Sequence, residues 1–547
     1  MGKERGQMAR TKSERTQSAQ RRFPWLVVVG LILWATVGAQ AGSRWLGVSG
    51  SLGTYGEVYH MQGREGRRDP ATGRLFFRPT VTALGMTFPF EVVVSTEETQ
   101  FRQSYNRLGI DPHWRWITLH LGDFYPRLNY FVSGVRVRGA GVDLRPGIFR
   151  LSVFKGQSRR SVPGEAFRRN MWAAQVGIGR ENGNLLEVGV LKAEDDTTSS
   201  VSSAVTPQEN LLFVGRLGIS LFRRRLTLLV EGAGSLHTRD LRSPSADSLI
   251  REQLPQGMNK AYDLLTRYFT PRVSSRADYA YRVMFGFRSR RASLRAQYNR
   301  LGPGFVSLAM PYAVNDRVNL NLSGTVHIIR GRLSLRSRFT RYRDNLQKEK
   351  TTTNGRQFWT TTLQAKPWRS TSVNLSVGLG TQIREDSMRV VFQGQRYNGG
   401  LTQRLQLFGR RHTVRLSHTE QRSERWQGEY DVSNTTVRWD VEWWRDFVAG
   451  ISVGTANNEF RGQKVQVGIF GFSARHRLPR KRITNHLNVG VRRGKGYTSV
   501  VSRVGVRWSL TRADALSLMF RRTDYLRGTA TYHEMLGSVT LDHRFSL

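Results

Sequence analysis

The chain has 547 residues, with 85 Lys+Arg against 41 Asp+Glu, a net charge of +44 and no cysteine. The missing thiols exclude a disulfide scaffold, Cys-ligated zinc, iron–sulfur clusters and thiol catalysis. The charge excludes an ordinary neutral enzyme surface and calls for an anionic partner, whether nucleic acid, lipid phosphate or small anions. A content of 54 Gly, 16 Pro and 10% aromatic residues suits strands better than a disordered basic tail.

Residues 1–22 carry Lys3, Arg5, Arg10, Lys12, Arg15, Arg21 and Arg22 against Glu4 and Glu14, and an apolar run over 25–35 leads to Ala39-Gln40-Ala41. A positive start, a short apolar stretch and a small-residue end predict a signal peptide over 1–41, cut before Gly42. The competing reading is a signal anchor, because 25–41 is just near the minimum spanning length. Export accounts for little of the charge, since residues 42–547 keep 78 basic against 39 acidic side chains. It argues against nucleic acid as a partner.

After Gly42 no apolar run is long enough for a membrane helix. Instead, apolar and polar residues alternate with the period of strands that have two different faces. Val318, Leu320 and Leu322 alternate with Asn319, Asn321 and Ser323; Val373, Leu375 and Val377 with Asn374, Ser376 and Gly378. The same pattern runs through Val437–Trp443 and Val504–Leu510, in segments of roughly ten residues, the length a tilted strand needs to cross a bilayer.

Connections alternate as well. Tight ones fall at Asn182-Gly183, 223–225, 288–291, 330–331 and 367–370, and long ones at about 195–209, 237–276, 301–316 and 344–356. The expected fold is therefore all-β: one large antiparallel transmembrane β-barrel of about 22–26 strands over 42–547. The opposite face carries too many Arg, Asn and His for a packed core, and suits a wet lumen. The chain ends in strand-like sequence at Phe545-Ser546-Leu547, as expected for a barrel's closing strand.

Two stretches carry a family resemblance. One is Phe101-Arg102-Gln103-Ser104-Tyr105-Asn106-Arg107-Leu108-Gly109-Ile110-Asp111-Pro112-His113-Trp114-Arg115-Trp116, followed by 134–141 and the Pro146-Gly147-Ile148-Phe149-Arg150 turn. The other covers 298–316, with Gly302-Pro303-Gly304-Phe305 and Asn315-Asp316, and continues to Arg343-Asp344-Asn345-Leu346. Both resemble segments of large, uncharacterised, porin-like outer-membrane β-barrels of Bacteroidetes-type bacteria. The resemblance covers about half of the chain after residue 41 and implies fold and outer-membrane location, with no activity or catalytic residues to carry over. The sequence departs from TonB-dependent transporters, because strand-like sequence from Trp45 leaves no room for a large plug domain ahead of the barrel.

The chemistry lies in arginines that alternate with apolar residues. Arg136 and Arg138 alternate with Val135 and Val137; Arg332, Arg336 and Arg338 with Leu333, Leu335 and Phe339; Arg438 with Val437 and Trp439; Arg503 and Arg507 with Val504 and Val506. With the apolar face on lipid these guanidiniums point into the lumen, and rings of arginine favour anions. The bland reading places them at rims or in ion-pair networks. Turn arginines at 223–225, 288–291 and 475–482 are expected at the membrane interfaces. Trp114, Trp116, Trp439, Trp443 and Trp508 are candidates for aromatic girdles, with a stacking platform for sugars or bases as the lesser alternative.

No catalytic motif is present, and His113, His120, His412 and His418 have no spacing that singles one out. Glu194-Asp195-Asp196 reads as a solvated acidic loop start more readily than as a calcium site. No cofactor, metal or catalytic residue is expected. The reading is a passive, anion-favouring outer-membrane channel, whose partners are lipid and lipopolysaccharide phosphates, the barrel-assembly machinery and a surface or periplasmic protein. The alternative is a plugged barrel that anchors or assembles other proteins.

Overall fold

The computed structural model describes residues 46–181, 183–200, 204–253, 259–384, 389–425 and 428–546. The signal-peptide reading of 1–41, Asn182 of the first tight turn and Leu547 lie outside them. Strands run from Leu46–Gln62 to Ala530–Ser546, each antiparallel to the next. The fourth is interrupted at Asp111-Pro112, where Pro112 has no amide hydrogen to give the ladder. Its two pieces, Arg107–Ile110 and His113–Trp114, both lie between Met86–Ser95 and Ile117–Phe124. Taken as one, they make a barrel of 26 strands. The first strand pairs with the last from Ser49↔Ser546 to Gln62↔His533, so the sheet closes and no edge remains.

From Leu46 to Arg384 tight turns collect at one end and the longer connections at the other, whereas among the described residues after 428 both ends are closed by short turns. Phe408-Gly409 at the tight-turn end and Arg461-Gly462 at the opposite end both have positive φ at their two residues (52° and 70°, 50° and 76°), the two-residue turn whose twist matches its flanking strands. At a strand spacing near 4.8 Å and a tilt near 40°, a round section of 26 strands is about 50 Å across. Side chains from opposite walls cannot meet over that distance.

The loops over 125–136 and 302–316 identify the inner face. Seven strands separate the two that they follow, Ile117–Phe124 and Ala292–Leu301. Yet the Phe131 and Phe305 rings lie 5.6 Å apart, and the Ser307 hydroxyl donates to the Phe131 carbonyl at 2.7 Å. Such a short cut exists only across the concave side of the wall. Carried from strand to strand by register, that assignment puts Val188, Phe213, Leu375, Val453 and Phe470 outside, each about half exposed. An apolar belt of that extent needs an apolar medium.

The longest loop, 239–274, holds two short helices, Asp247–Gln253 and Asn259–Thr266, where the sequence predicts one near 261–268. Asp247 ties them together by accepting from the Tyr262 hydroxyl at 2.9 Å and from Arg251 Nε at 3.0 Å. The loop's described residues do not enter the interior cluster. Tyr268 leans on Trp172 of the outer face, ring centroids 6.1 Å apart.

Leu375 and Asn374 are sequence neighbours on opposite faces, which gives a direct test of the wall's orientation. Leu375→Arg should destabilise the folded barrel in lipid vesicles by about 2–4 kcal/mol if it lies near mid-membrane. Asn374→Arg should leave the denaturant midpoint close to wild type.

Candidate pore interior: a loop plug and an arginine wall

Leu128, Phe131 and Val132 of one inward loop and Phe305, Leu308 and Ala309 of the other form a single buried cluster with wall residues Met171, Ala173, Leu191, Ala193, Leu212, Val214, Ala233 and Ala280. Alanines at four of these wall positions leave the space that the loop side chains fill. Polar contacts fix the register of loop on wall. Asn129 Oδ1 accepts from the amides of Phe131 (2.9 Å) and Val132 (3.0 Å), while its Nδ2 donates to the Gly232 carbonyl at 3.3 Å. The Ser235 hydroxyl donates to the Val306 carbonyl (2.6 Å), and the Leu308 amide donates to Asn210 Oδ1 (3.1 Å). Asp278 receives the Gly304 amide at 2.7 Å, and a Cβ on Gly302 would sit 2.2 Å from that carboxylate. The Gly302-Pro303-Gly304 stretch is therefore the hinge by which the second loop turns inward.

Behind the loops runs a row of alternating charge. Register places Arg150, Gly177, Glu187, Arg216, Glu231 and Arg282 side by side on consecutive strands. Arg150 and Glu187 meet at 2.5 Å, Arg216 reaches Glu187 at 3.4 Å and Glu231 at 3.7 Å, and Arg282 reaches Glu231 at 3.4 Å. Glu187 and Glu231 are buried. The row also holds the loop, because the Tyr130 amide donates to Glu231 at 3.2 Å and Arg282 lies 4.4 Å from the Tyr130 ring centre.

The acidic triplet is a correction to the sequence reading. Glu194-Asp195-Asp196 ends the strand Leu185–Asp196, and Asp195 is buried rather than solvated. It takes Arg169 at 2.7 Å and Arg159 at 2.9 Å, while Glu194 meets Lys192 and Asp196 meets Arg168. Each carboxylate already has a cationic partner. Among the described residues no group of three His, Asp or Glu side chains is gathered for a metal.

The candidate arginines divide. Arg336, Arg338, Arg503 and Arg507 all lie on the inner face of the wall that the loops leave bare, exposed, beside Thr, Ser and Asn neighbours. Among the described residues none of the four has a hydrogen bond or ion pair from its guanidinium. Arg503 directly faces Arg521, a like-charge pair relieved on one side only, by Glu534 at 3.0 Å from Arg521. Arg438 also faces inward, opposite Arg415, and both share the Asp440 carboxylate. Arg396 and Arg404, which the sequence reading passed over, face the same space.

Three candidates lie elsewhere. Arg332 sits in the tight turn after Ile329, because the strand resumes only at Leu333. Arg136 and Arg138 are at the long-loop rim on the side away from the interior. There the local apolar face is turned inward, with Val137 fully buried in the loop cluster. Arg138 pairs with Asp123 at 2.9 Å and Arg136 donates to the Asn106 carbonyl at 3.2 Å. The expectation of interface roles for 475–482 changes too, since Arg475 and Arg477 point into the barrel.

All five tryptophan candidates belong to the half of the barrel nearer the tight turns. Trp114 and Trp116 flank the Arg115 turn, and Trp443 and Trp508 lie outside at strand ends. Trp439 stands four residues higher on the outer face, stacked on His412 at 5.8 Å. Near the long-loop end the outer aromatics include Trp172 and Phe213 together with Tyr279, Tyr281 and Tyr298. The histidines are dispersed: His412 and His418 outside, His113 bonded to Thr118 at 2.9 Å, and His120 between Asp111 (2.7 Å) and Asp143 (3.5 Å) on the inner wall.

No family model matches the chain, and no curated protein matches it significantly. Solved structures with a similar course include Acinetobacter baumannii OccAB4, at 9% identity and TM-score 0.33 over 69% of this chain and 98% of that one. Pseudomonas aeruginosa OccK3 (OpdO) gives 10% identity and TM-score 0.32 over 69% and 96%. The outer membrane protein OpdK from Pseudomonas aeruginosa gives 8% and 0.34 over 63% and 95%. At such scores they carry no inference about this chain, and the Bacteroidetes-type resemblance rests on its two segments alone.

Glu231 joins two arginines to the first inward loop, and its removal should free that loop. Glu231→Ala leaves the partly buried Arg282 without a carboxylate and Arg216 with Glu187 alone, an expected loss of about 3 kcal/mol, and should make 125–136 the new site of limited proteolysis in the folded barrel. At the long-loop mouth, Glu98 accepts the amides of Tyr105 (2.7 Å) and Asn106 (3.0 Å), the Ser104 hydroxyl and Arg160. Partial burial opposes its ionisation, but these bonds outweigh it and hold its pKa below the usual value. A depressed carboxylate stabilises above its unfolded pKa. Loop 96–106 should therefore keep its hydrogen-exchange protection down to about pH 4.3 and lose it as pH falls further.

Proposed function

We propose that this chain is an outer-membrane diffusion channel that favours small anions. The observation that carries the reading is the asymmetry of the interior. Arginines under the inward loops are neutralised by Glu187, Glu231 and Asp195, whereas Arg336, Arg338 and Arg503 on the bare wall face open space with no carboxylate paired to them. A solute path along that wall meets net positive charge, and the loops set its width. The apolar outer belt supports a membrane setting, and the signal-peptide reading of 1–41 supplies export. Tight turns then face the periplasm and long loops the exterior, as in other barrels of this kind. The aromatic residues near each end suit contact with lipid headgroups and lipopolysaccharide phosphates. The role is transport rather than catalysis.

A second reading, the plugged scaffold, draws on the same inward loops. If they and the mouth loops close the lumen, the barrel anchors partners instead of conducting. Conductance in planar bilayers separates the two. Under a salt gradient the wild type should show steady channels with an anion-favouring reversal potential. Arg336→Glu/Arg338→Glu and Arg503→Glu should each move that potential toward cation preference. The preference should fade toward 1 M salt, where the screening length falls to about 3 Å. Silence from a folded, heat-modifiable barrel would sink the channel reading and favour the scaffold.

A further inference from the structure

We propose that the tight-turn mouth of the barrel carries a binding site for phosphate-bearing anions, built from Arg477, Arg482, Arg507, Arg512 and Arg544. These five line one cavity of about 560 Å³. Register brings Arg477, Thr484 and Arg507 into one inward-facing row on three consecutive strands. Arg544 enters from the closing strand opposite Ser51, and Arg482 and Arg512 from the adjoining turns.

The cations converge with little to balance them. The cavity's carboxylates are Asp514 and Asp542. Asp514 is already engaged by the Thr511 hydroxyl at 2.5 Å and by His543 Nδ1 at 2.5 Å. Among the described residues none of the five guanidiniums makes a hydrogen bond or ion pair. Asp542 is the cavity's uncommitted carboxylate and offsets one of the five charges, and the remaining excess repels unless a further anion joins it, most of it left unmet by a monovalent ion. Guanidinium forks match the paired oxygens of a tetrahedral phosphate, which chloride does not offer. Three of the five stand on strands and two on short turns, so the cradle is held rather than gathered from a long loop. Along the upper wall the geometry differs: Arg336 and Arg338 stand two residues apart on one strand and enclose nothing.

The inference rests on the reading of the interior as water-filled, and binding is separable from conduction. The test is calorimetric titration of inorganic phosphate into the full folded chain in neutral detergent, at constant ionic strength with chloride as competitor. Saturable binding tighter than chloride is expected. Arg477→Ser/Arg507→Ser should weaken it by about tenfold or more, while Arg338→Ser should bind as wild type. Arg507→Lys keeps the charge without the fork and should fall between, which keeps the test informative should the double variant fail to fold. A second arm uses nanodiscs with and without phosphatidic acid. Protection of the mouth by that lipid without affinity for free phosphate would assign the site to a headgroup, and affinity for free phosphate to a solute. Binding no tighter than chloride in both arms, or unchanged in the arginine variants, would overturn the proposal. A channel that conducts anions without binding phosphate would leave the transport reading standing, and binding without conductance would do the reverse.

Discussion

Closure of the hydrogen-bonded ladder is the constraint on which the rest of the structure depends. In a medium without water every backbone N–H and C=O must find a partner within the protein. The pairing of Leu46–Gln62 with Ala530–Ser546 removes the last unpaired edge. Closing 26 strands has a geometric consequence. The ring is too wide for its own side chains to fill, so a core can form only where chain folds back onto the wall. The loops at 125–136 and 302–316 do this, and the buried cluster lies between them and one arc of strands.

That arrangement determines where carboxylates are needed. Taking a guanidinium out of water without a partner costs several kcal/mol. Under the loops, Arg150, Arg216, Arg282 and Arg169 accordingly meet Glu187, Glu231 and Asp195. On the bare wall water solvates Arg336, Arg338 and Arg503, and they carry no such requirement. The excess of basic over acidic residues is thus not spread evenly over the interior. It is expressed on the side that solvent reaches, where it can act on a solute.

Much of the fold was legible in the amino-acid order. Period-two alternation, segment lengths and the rhythm of tight and long connections lead to a barrel whose predicted range includes the observed strand number. The inward arginines at 336, 338, 438, 503 and 507 follow from the same alternation. The failures have a common cause. Val135 and Val137 look like a lipid face, yet in this arc a loop covers the inner wall, and apolar residues are as welcome there as outside. Asp195 looks like a loop carboxylate because its partners, Arg159 and Arg169, come from other strands. Length alone does not say which loop enters the barrel: the described residues of the longest, 239–274, stay out of the interior cluster, whereas the shorter 125–136 and 302–316 turn inward because Ala173, Ala233, Asn210 and Ser235 give them something to pack on and bond to.

By itself the sequence determined the strands, their two faces and a strongly basic interior, because these depend on neighbours one or two residues away. Tertiary structure alone decided which arginines are neutralised and which stand free. It does so by bringing Ser307 to Phe131, Glu231 to Tyr130, and Arg477, Arg507 and Arg544 to one cavity. Register and closure set those meetings across tens to hundreds of residues, and local alternation carries no information about them.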